Sequence, residues 1–411
     1  MKALVGDVVD AEKVLRNHAV LVEGKEIMAV VPAEKVREFE PDEVYGGEGF
    51  FIIPGLINAH THVAMTKFRG LGEDMPTEEW LKEIIWPMEL EWTAREIRKW
   101  ARIGVMEALM NGSTTINDHY FFANEIAKEA EKIGIRAFVG QTVMDLVDFP
   151  HADPGEGLKF FKRWQGRSEL ITPTLAPHAT NTVSLELMRE ISELSEEANA
   201  RIHIHLAQSR AEVEEVKERY DLKPVEYLKQ ARTLNERLIG VHGVYLTDEE
   251  IKTLASAGST LVHCPTSNVK LEGRTINLPR VLKAGINVAI GSDSPNPVGI
   301  LDMFLEMRKS ALFANLLEEK AHVLSAREVF KLATAGGARA LGIKAGLIRE
   351  GYLADLLLIN ARKPWFKPRE NPYSLIVYSA RGSDVEMTVV NGEPVYIRGT
   401  FPRIGKALED V

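Results

Sequence analysis

The stretch Phe51-Ile52-Ile53-Pro54-Gly55-Leu56-Ile57-Asn58-Ala59-His60-Thr61-His62 decides how this chain is read. An apolar, β-branched run over 51–57 predicts a strand that leads directly into a His-x-His pair. Side chains alternate faces along an extended strand, so residues two apart point the same way. Two imidazoles at one strand end can therefore hold a single metal ion. Surface strands also carry such pairs by chance, so the rest of the chain has to decide.

Further apolar, β-branched runs lie at 114–117, 135–140, 170–175, 202–206, 238–241, 260–262 and 287–290. With 51–57 they predict eight strands, and amphipathic stretches separate them. Thr93-x-x-Glu96, Thr247-x-x-Glu250 and Ser325-x-x-Glu328 read as capping boxes that open helices. Leu187, Ile191 and Leu194 give the stretch 185–198 helical spacing, and Asn111-Gly112 reads as a helix end. Eight strands alternating with helices predict an α/β fold, a (β/α)8 TIM-like barrel over 54–345. An open doubly wound sheet would carry a Gly-rich phosphate loop, and neither G-x-G-x-x-G nor a P-loop is present. The ends differ. Short strand-like runs at 3–9, 18–22 and 26–31, and again at 351–359, 387–390 and 392–396, are broken by turns. Neither end can bury a core alone, so residues 1–53 plus 346–411 are expected to form one small β-sandwich domain.

Composition bounds the function. The 411 residues are 45% hydrophobic and 27% charged, a globular profile with room for a large core. A net charge of -9 argues against nucleic acid as a partner, since phosphate binding needs basic surface. No apolar run approaches the ~20 residues that span a bilayer, so no membrane partner is expected. The N-terminus lacks an apolar secretory core, and the single cysteine, Cys264, excludes a disulfide within the chain. A cytoplasmic location is the expectation. Ile300 to Leu305 reads as core or interface, which leaves a homo-oligomer open.

Polar residues recur where the barrel strands end. His60 and His62 follow the first strand, Asp118 and His119 close the second, and Gln141 follows the third. His178 follows the fourth, His205 lies on the fifth, His242 on the sixth, His263 on the seventh, and Asp293 follows the eighth. Seven of the 11 histidines thus lie at strand ends of one polarity, the rim where barrel enzymes place their sites. Blander readings stand beside these. One of His203 and His205 is structural, His119 fits an ordinary loop residue, and His151 falls in a Pro-rich loop. His18 and His322 read as surface residues, and Cys264 reads better as a small buried hydrophobe than as a ligand.

The segments 54–62, His203-Ile204-His205-Leu206-Ala207, Val241-His242-Gly243, His263-Cys264-Pro265-Thr266-Ser267-Asn268 and Gly291-Ser292-Asp293 resemble the amidohydrolase superfamily in order and spacing. The resemblance is to the branch of methylthioadenosine/S-adenosylhomocysteine deaminases, guanine and cytosine deaminases and triazine chlorohydrolases. It implies one divalent metal, Zn2+ or alternatively Fe2+, held by His60, His62, His205 and Asp293. Such a donor set suits those ions better than Mg2+ or Ca2+. The resemblance also implies hydrolytic deamination of a small amino-heterocycle, such as 5′-methylthioadenosine or S-adenosylhomocysteine, by a metal-activated hydroxide. Asp293 and His242 would be catalytic, and His178 would hold a substrate edge. Glu89 is either a ribose ligand, as the resemblance implies, or a solvated helix-end charge.

The chain departs from that pattern in three places. The family's deaminases read His-x-x-Glu after the fifth strand, where this chain reads His205-Leu206-Ala207-Gln208, and an amide cannot shuttle a proton. Gln141 stands near the position of an arginine after the third strand, and Asp293 is followed by Ser294 rather than Gly. Gln208 and Gln141 are therefore candidate substrate contacts. The departures keep two alternatives alive: hydrolysis of a guanine-, cytosine-, pterin- or triazine-like ring (chlorohydrolase or cyclic amidase chemistry included), and a non-catalytic ligand-binding protein on the same scaffold.

Overall fold

The computed structural model describes residues 1–71, 75 and 77–407. Eight strands follow one another as parallel neighbours: Leu56–Thr61, Ser113–Tyr120, Arg136–Val143, Ile171–Pro177, Ile202–Leu206, Leu238–His242, Thr260–His263 and Asn287–Ile290. A parallel bridge between Thr61 and Asp293 joins the last strand's end to the first, and the Asp293 amide donates to the His60 carbonyl at 2.9 Å. The (β/α)8 barrel expected from the alternation is present. Asn58 clamps the same seam: its amide nitrogen donates to the Ser292 hydroxyl at 2.7 Å, and its oxygen accepts from the Ser292 amide at 2.9 Å. Glycine is required beside this seam at Gly291, because a Cβ there would lie 2.9 Å from His60 backbone atoms.

The helices follow their sequence signals. Ala94–Met110 opens on Thr93, whose hydroxyl accepts from the Glu96 amide, and buries Ile97, Ala101, Val105 and Leu109 along one face. Its end falls at Asn111, with Gly112 at φ 88°. Thr247 and Glu250 form a reciprocal capping box, as do Ser325 and Glu328. Leu185–Ala198 is a helix with those bounds.

Both chain ends build a separate sheet. Lys2–Val9, Val14–Glu23, Glu26–Pro32 and Glu43–Pro54 pair with Leu356–Asn360, Val385–Val390, Glu393–Ile397, Thr400–Phe401 and Lys406–Ala407 in one nine-stranded mixed sheet. Leu4, Val20, Ile52, Leu356 and Met387 pack together in its core. A buried ion pair, Arg136 Nε to Asp355 Oδ2 at 2.6 Å, ties this sheet to the base of the barrel.

One strand differs from its expected extent. The run 51–57 divides at Gly55. Phe51, Ile52 and Ile53 pair with Leu356–Asn360 in the terminal sheet, and the barrel strand starts at Leu56. The crossing is tight: a Cβ on Gly55 would lie 1.9 Å from the Thr114 hydroxyl oxygen. An apolar run buried on both sides continues smoothly from one sheet into the next, so hydrophobicity alone does not mark the boundary. In the stretch after Gly299, Leu301, Met303 and Phe304 are buried, which makes it mostly core, while Ile300 stays exposed.

Candidate metal centre and active site

The carboxyl ends of the first, fifth and eighth strands bring four side chains together. The ring nitrogens of His60, His62 and His205 lie within 4.8 Å of one another, and all three residues are buried. Asp293 Oδ1 is 3.6 Å from His60 Nε2 and 3.3 Å from His62 Nε2. Each ring already uses its Nδ1. His60 Nδ1 meets His203 Nε2 at 2.9 Å, His62 Nδ1 donates to the His119 carbonyl at 2.5 Å, and His205 Nδ1 donates to the His178 carbonyl at 2.8 Å. Those bonds to carbonyls fix the Nδ1–H tautomer and leave Nε2 with a free lone pair. Among the described residues, His60 Nε2 is buried with no hydrogen-bond partner. An unpaired buried nitrogen is costly, and three clustered imidazoles with a carboxylate against two of them fit a divalent cation. The same arrangement separates the two histidines of the fifth strand: His205 faces the centre, and His203 supports His60 from behind.

The electrostatics agree with a cation site. Burial pulls the His60 imidazole down to about 3 and holds His205 well below its ordinary value, so both rings stay neutral. Burial also lowers His62, but the Asp293 carboxylate outweighs it and the net shift is upward. Burial alone would raise the Asp293 carboxyl; His60 and His62 reverse this and hold it well below the usual carboxylate range. His242 at φ 76° and Asp293 at φ 67° both occupy the left-handed region, which costs a non-glycine residue about 1–3 kcal/mol. The Ser292–Asn58 clamp and the bridge to Thr61 hold Asp293 there.

The other residues singled out from the sequence divide into two groups. His242 reaches the centre, with Nε2 3.9 Å from Asp293 Oδ2. His178 stands beside His205 with ring centroids 5.1 Å apart; burial lowers its imidazole to about 4, and its Nδ1 is 3.0 Å from the Thr182 hydroxyl. Glu89 is no solvated charge. It is 5% exposed, accepts from the Tyr120 hydroxyl at 2.5 Å, and is pushed up to about 7 by burial. Tyr120 in turn lies 5.8 Å from the His62 ring. Gln208 is half-buried and its side-chain amide makes no hydrogen bond among the described residues. Gln141 is different. Its oxygen accepts from the Ala123 amide at 3.0 Å, and its NH2 donates to the His151 and Thr142 carbonyls. That amide braces the loop after the third strand and has no donor left over. Cys264 is fully buried, and burial pushes its thiol up.

The amidohydrolase family model matches residues 51–395, most of the chain. The chain belongs to the amidohydrolase family. It is 41% identical over 363 residues to a 5-methylthioadenosine/S-adenosylhomocysteine deaminase of Pyrococcus furiosus, covering 88% of this chain and 87% of that protein. It is 37% identical over 381 residues to a 5′-deoxyadenosine deaminase of Methanothermobacter thermautotrophicus, covering 92% and 89%. A crystal structure of an adenosine deaminase from Xanthomonas campestris with bound zinc superposes with a TM-score of 0.93 at 31% identity, covering 97% of this chain and 93% of that one. Among the described residues of this amidohydrolase, no helix is long and apolar enough to cross a membrane.

Several contributors to this amidohydrolase centre have no role in the sequence reading. Glu212 is buried and accepts from the Ala207 amide at 2.9 Å, the Gln208 amide at 2.8 Å and the Thr180 hydroxyl at 2.6 Å. It fixes the turn that carries Gln208, where Ala207 has φ 47°. Ser209-x-x-Glu212 is a fourth capping-box pattern and could have flagged it. Trp92 donates to the Tyr120 hydroxyl at 3.0 Å and completes the Glu89 group. No local signal announces that contact, since Trp92 and Tyr120 meet only through the fold.

Proposed function

We propose that this amidohydrolase is a metal-dependent hydrolytic deaminase. It replaces the exocyclic amino group of an adenosine derivative, 5′-methylthioadenosine or S-adenosylhomocysteine, with oxygen and releases ammonia. The observation that carries this reading is the cluster of His60, His62 and His205 ring nitrogens with Asp293 set against the first two, in a chain whose relatives are named as deaminases of such nucleosides. We propose Zn2+ for the site, with Fe2+ as the alternative, because three imidazoles and a carboxylate favour a borderline ion. When bound, the ion supplies Lewis acidity that brings a water's ionisation from 15.7 to about 7.

The chain's own groups carry the remaining steps. Asp293 Oδ1, held ionised between His60 and His62, takes the proton from the attacking water. His242 Nε2, which has no hydrogen-bond partner among the described residues, accepts from the attacking water and orients it toward the ring carbon. His178 holds a substrate edge beside His205, and Glu89 takes hydroxyls of the sugar. Gln208 reads an edge of the heterocycle with its free amide. It cannot carry a proton to the ring nitrogen, so Asp293 or His242 delivers it.

Ammonia release over a panel tests this reading. The expected order puts 5′-methylthioadenosine, S-adenosylhomocysteine and 5′-deoxyadenosine at least about 100-fold above guanine, cytosine and amino-triazines in kcat/KM, a gap of about 2.7 kcal/mol. A preference for one of the latter would move the assignment to the second reading, which Gln208 favours. Gln208→Glu sharpens the comparison. On the adenosine derivative it is expected to change kcat/KM by less than about tenfold. A gain of about 1,000-fold would mean that the native substrate is a different ring.

A further inference from the structure

The steps above leave unused the first turn of the helix Pro265–Glu272, which follows the seventh barrel strand. Ser267 and Asn268 there are 0% and 1% exposed. The Ser267 hydroxyl donates to Asp293 Oδ2, and Asn268 Oδ1 lies 2.8 Å from His242 Nδ1. An amide oxygen can only accept, so the Nδ1 of His242 carries the ring proton and donates it there. His242 Nε2 is then the nitrogen with the lone pair. It is buried, has no hydrogen-bond partner among the described residues, and faces Asp293 Oδ2. The contact with Asn268 is this ring's only hydrogen bond among the described residues, and the backbone beneath it sits at φ 76°.

The turn is itself fixed from outside the barrel. The Thr266 amide and hydroxyl donate to the two oxygens of Glu306 at 3.2 and 2.5 Å. Lys309 Nζ donates to the Thr266 hydroxyl at 2.7 Å. A carboxylate at a helix N-terminus is favourably placed, so Glu306 anchors the turn. Two adjacent side chains on one anchored turn thus reach the two groups assigned to proton transfer.

We infer that Asn268 is a positioning residue: it fixes the tautomer and rotation of His242 so that the Nε2 lone pair faces the reacting centre, while Ser267 holds the Asp293 carboxylate beside it. The inference rests on the reading of His242 as a catalytic group. A ring with its proton on the other nitrogen would present a donor where an acceptor is needed, and such tautomer errors are costly in catalysis.

A double-mutant cycle on the metal-loaded enzyme tests it. Asn268→Ala is expected to lower kcat about 100-fold, with KM within about threefold and metal content unchanged. Asn268→Asp keeps an acceptor at the same place and is expected to recover kcat to within about tenfold of the parent. Adding Asn268→Ala to His242→Ala is expected to cost less than about threefold more, because the partner is already gone. Long-range 1H–15N NMR of 15N-histidine-labelled enzyme, with His242 assigned from its substitution, is expected to find that ring protonated on Nδ1. An additive cycle, equal losses in both Asn268 variants, or an Nε2-protonated ring would overturn the inference. The spectrum of the unsubstituted enzyme decides alone if Asn268→Ala does not fold. Loss of less than about tenfold in His242→Ala would bring down the catalytic reading of His242 and the inference with it, whereas additivity after a large His242→Ala loss brings down the inference alone.

Discussion

Asp293→Asn is expected to lower kcat by about 10⁴-fold at saturating metal and substrate, the upper end for loss of a positioned proton acceptor. The amide keeps the size of the side chain and an oxygen that can still accept from the Ser294 amide at 2.6 Å. What it loses is the negative charge between His60 and His62 and the capacity to take a proton. The carboxylate also belongs to the proposed donor set, so weaker metal retention is expected beside the loss of turnover. Steady-state kinetics with metal analysis on the same sample checks both. Retention of more than about a tenth of the parent kcat would remove Asp293 from the chemistry.

His242→Ala is the second large effect. A loss of about 10²–10⁴-fold in kcat is expected, with metal content preserved. Here the metal and catalytic roles separate, because His60, His62, His205 and Asp293 remain while the free Nε2 is gone. KM is expected to move little, since orienting the attacking water acts on the chemical step rather than on substrate binding. A rise in KM at unchanged kcat would make His242 a substrate contact instead.

The sequence made the barrel legible through periodicity and the candidate metal site through position. Histidines two apart on a short strand declare their shared face, and a rim location follows once strand polarity is known. Alternation turns both His203 and His205 toward the interior, so the resemblance rather than the strand pattern singled out His205. The 2.9 Å contact of His203 with His60 shows what His203 does behind the centre. The strand Glu43–Pro54 was hidden by Gly46, Gly47 and Gly49, which interrupt the apolar alternation and have positive φ within it. Glu89 was ambiguous because its burial depends on Tyr120 and Trp92, brought to it by the second strand and a neighbouring turn. Gln141 shows the opposite limit. Its place after the third strand suggests a substrate contact, and in the structure its amide is engaged by the Ala123 amide and the His151 carbonyl. Position at the rim shows which residues can reach a centre; hydrogen bonds decide which of them are free to act there.

In the proposed centre His60, His62, His205 and Asp293 share one divalent ion. Elemental analysis of purified protein, combined with chelation and stepwise metal return, tests it most directly. A transition metal at about one equivalent per chain is expected, with loss of deaminase activity on its removal and recovery that saturates at about one equivalent. Undiminished turnover by protein from which the metal has been stripped would contradict it.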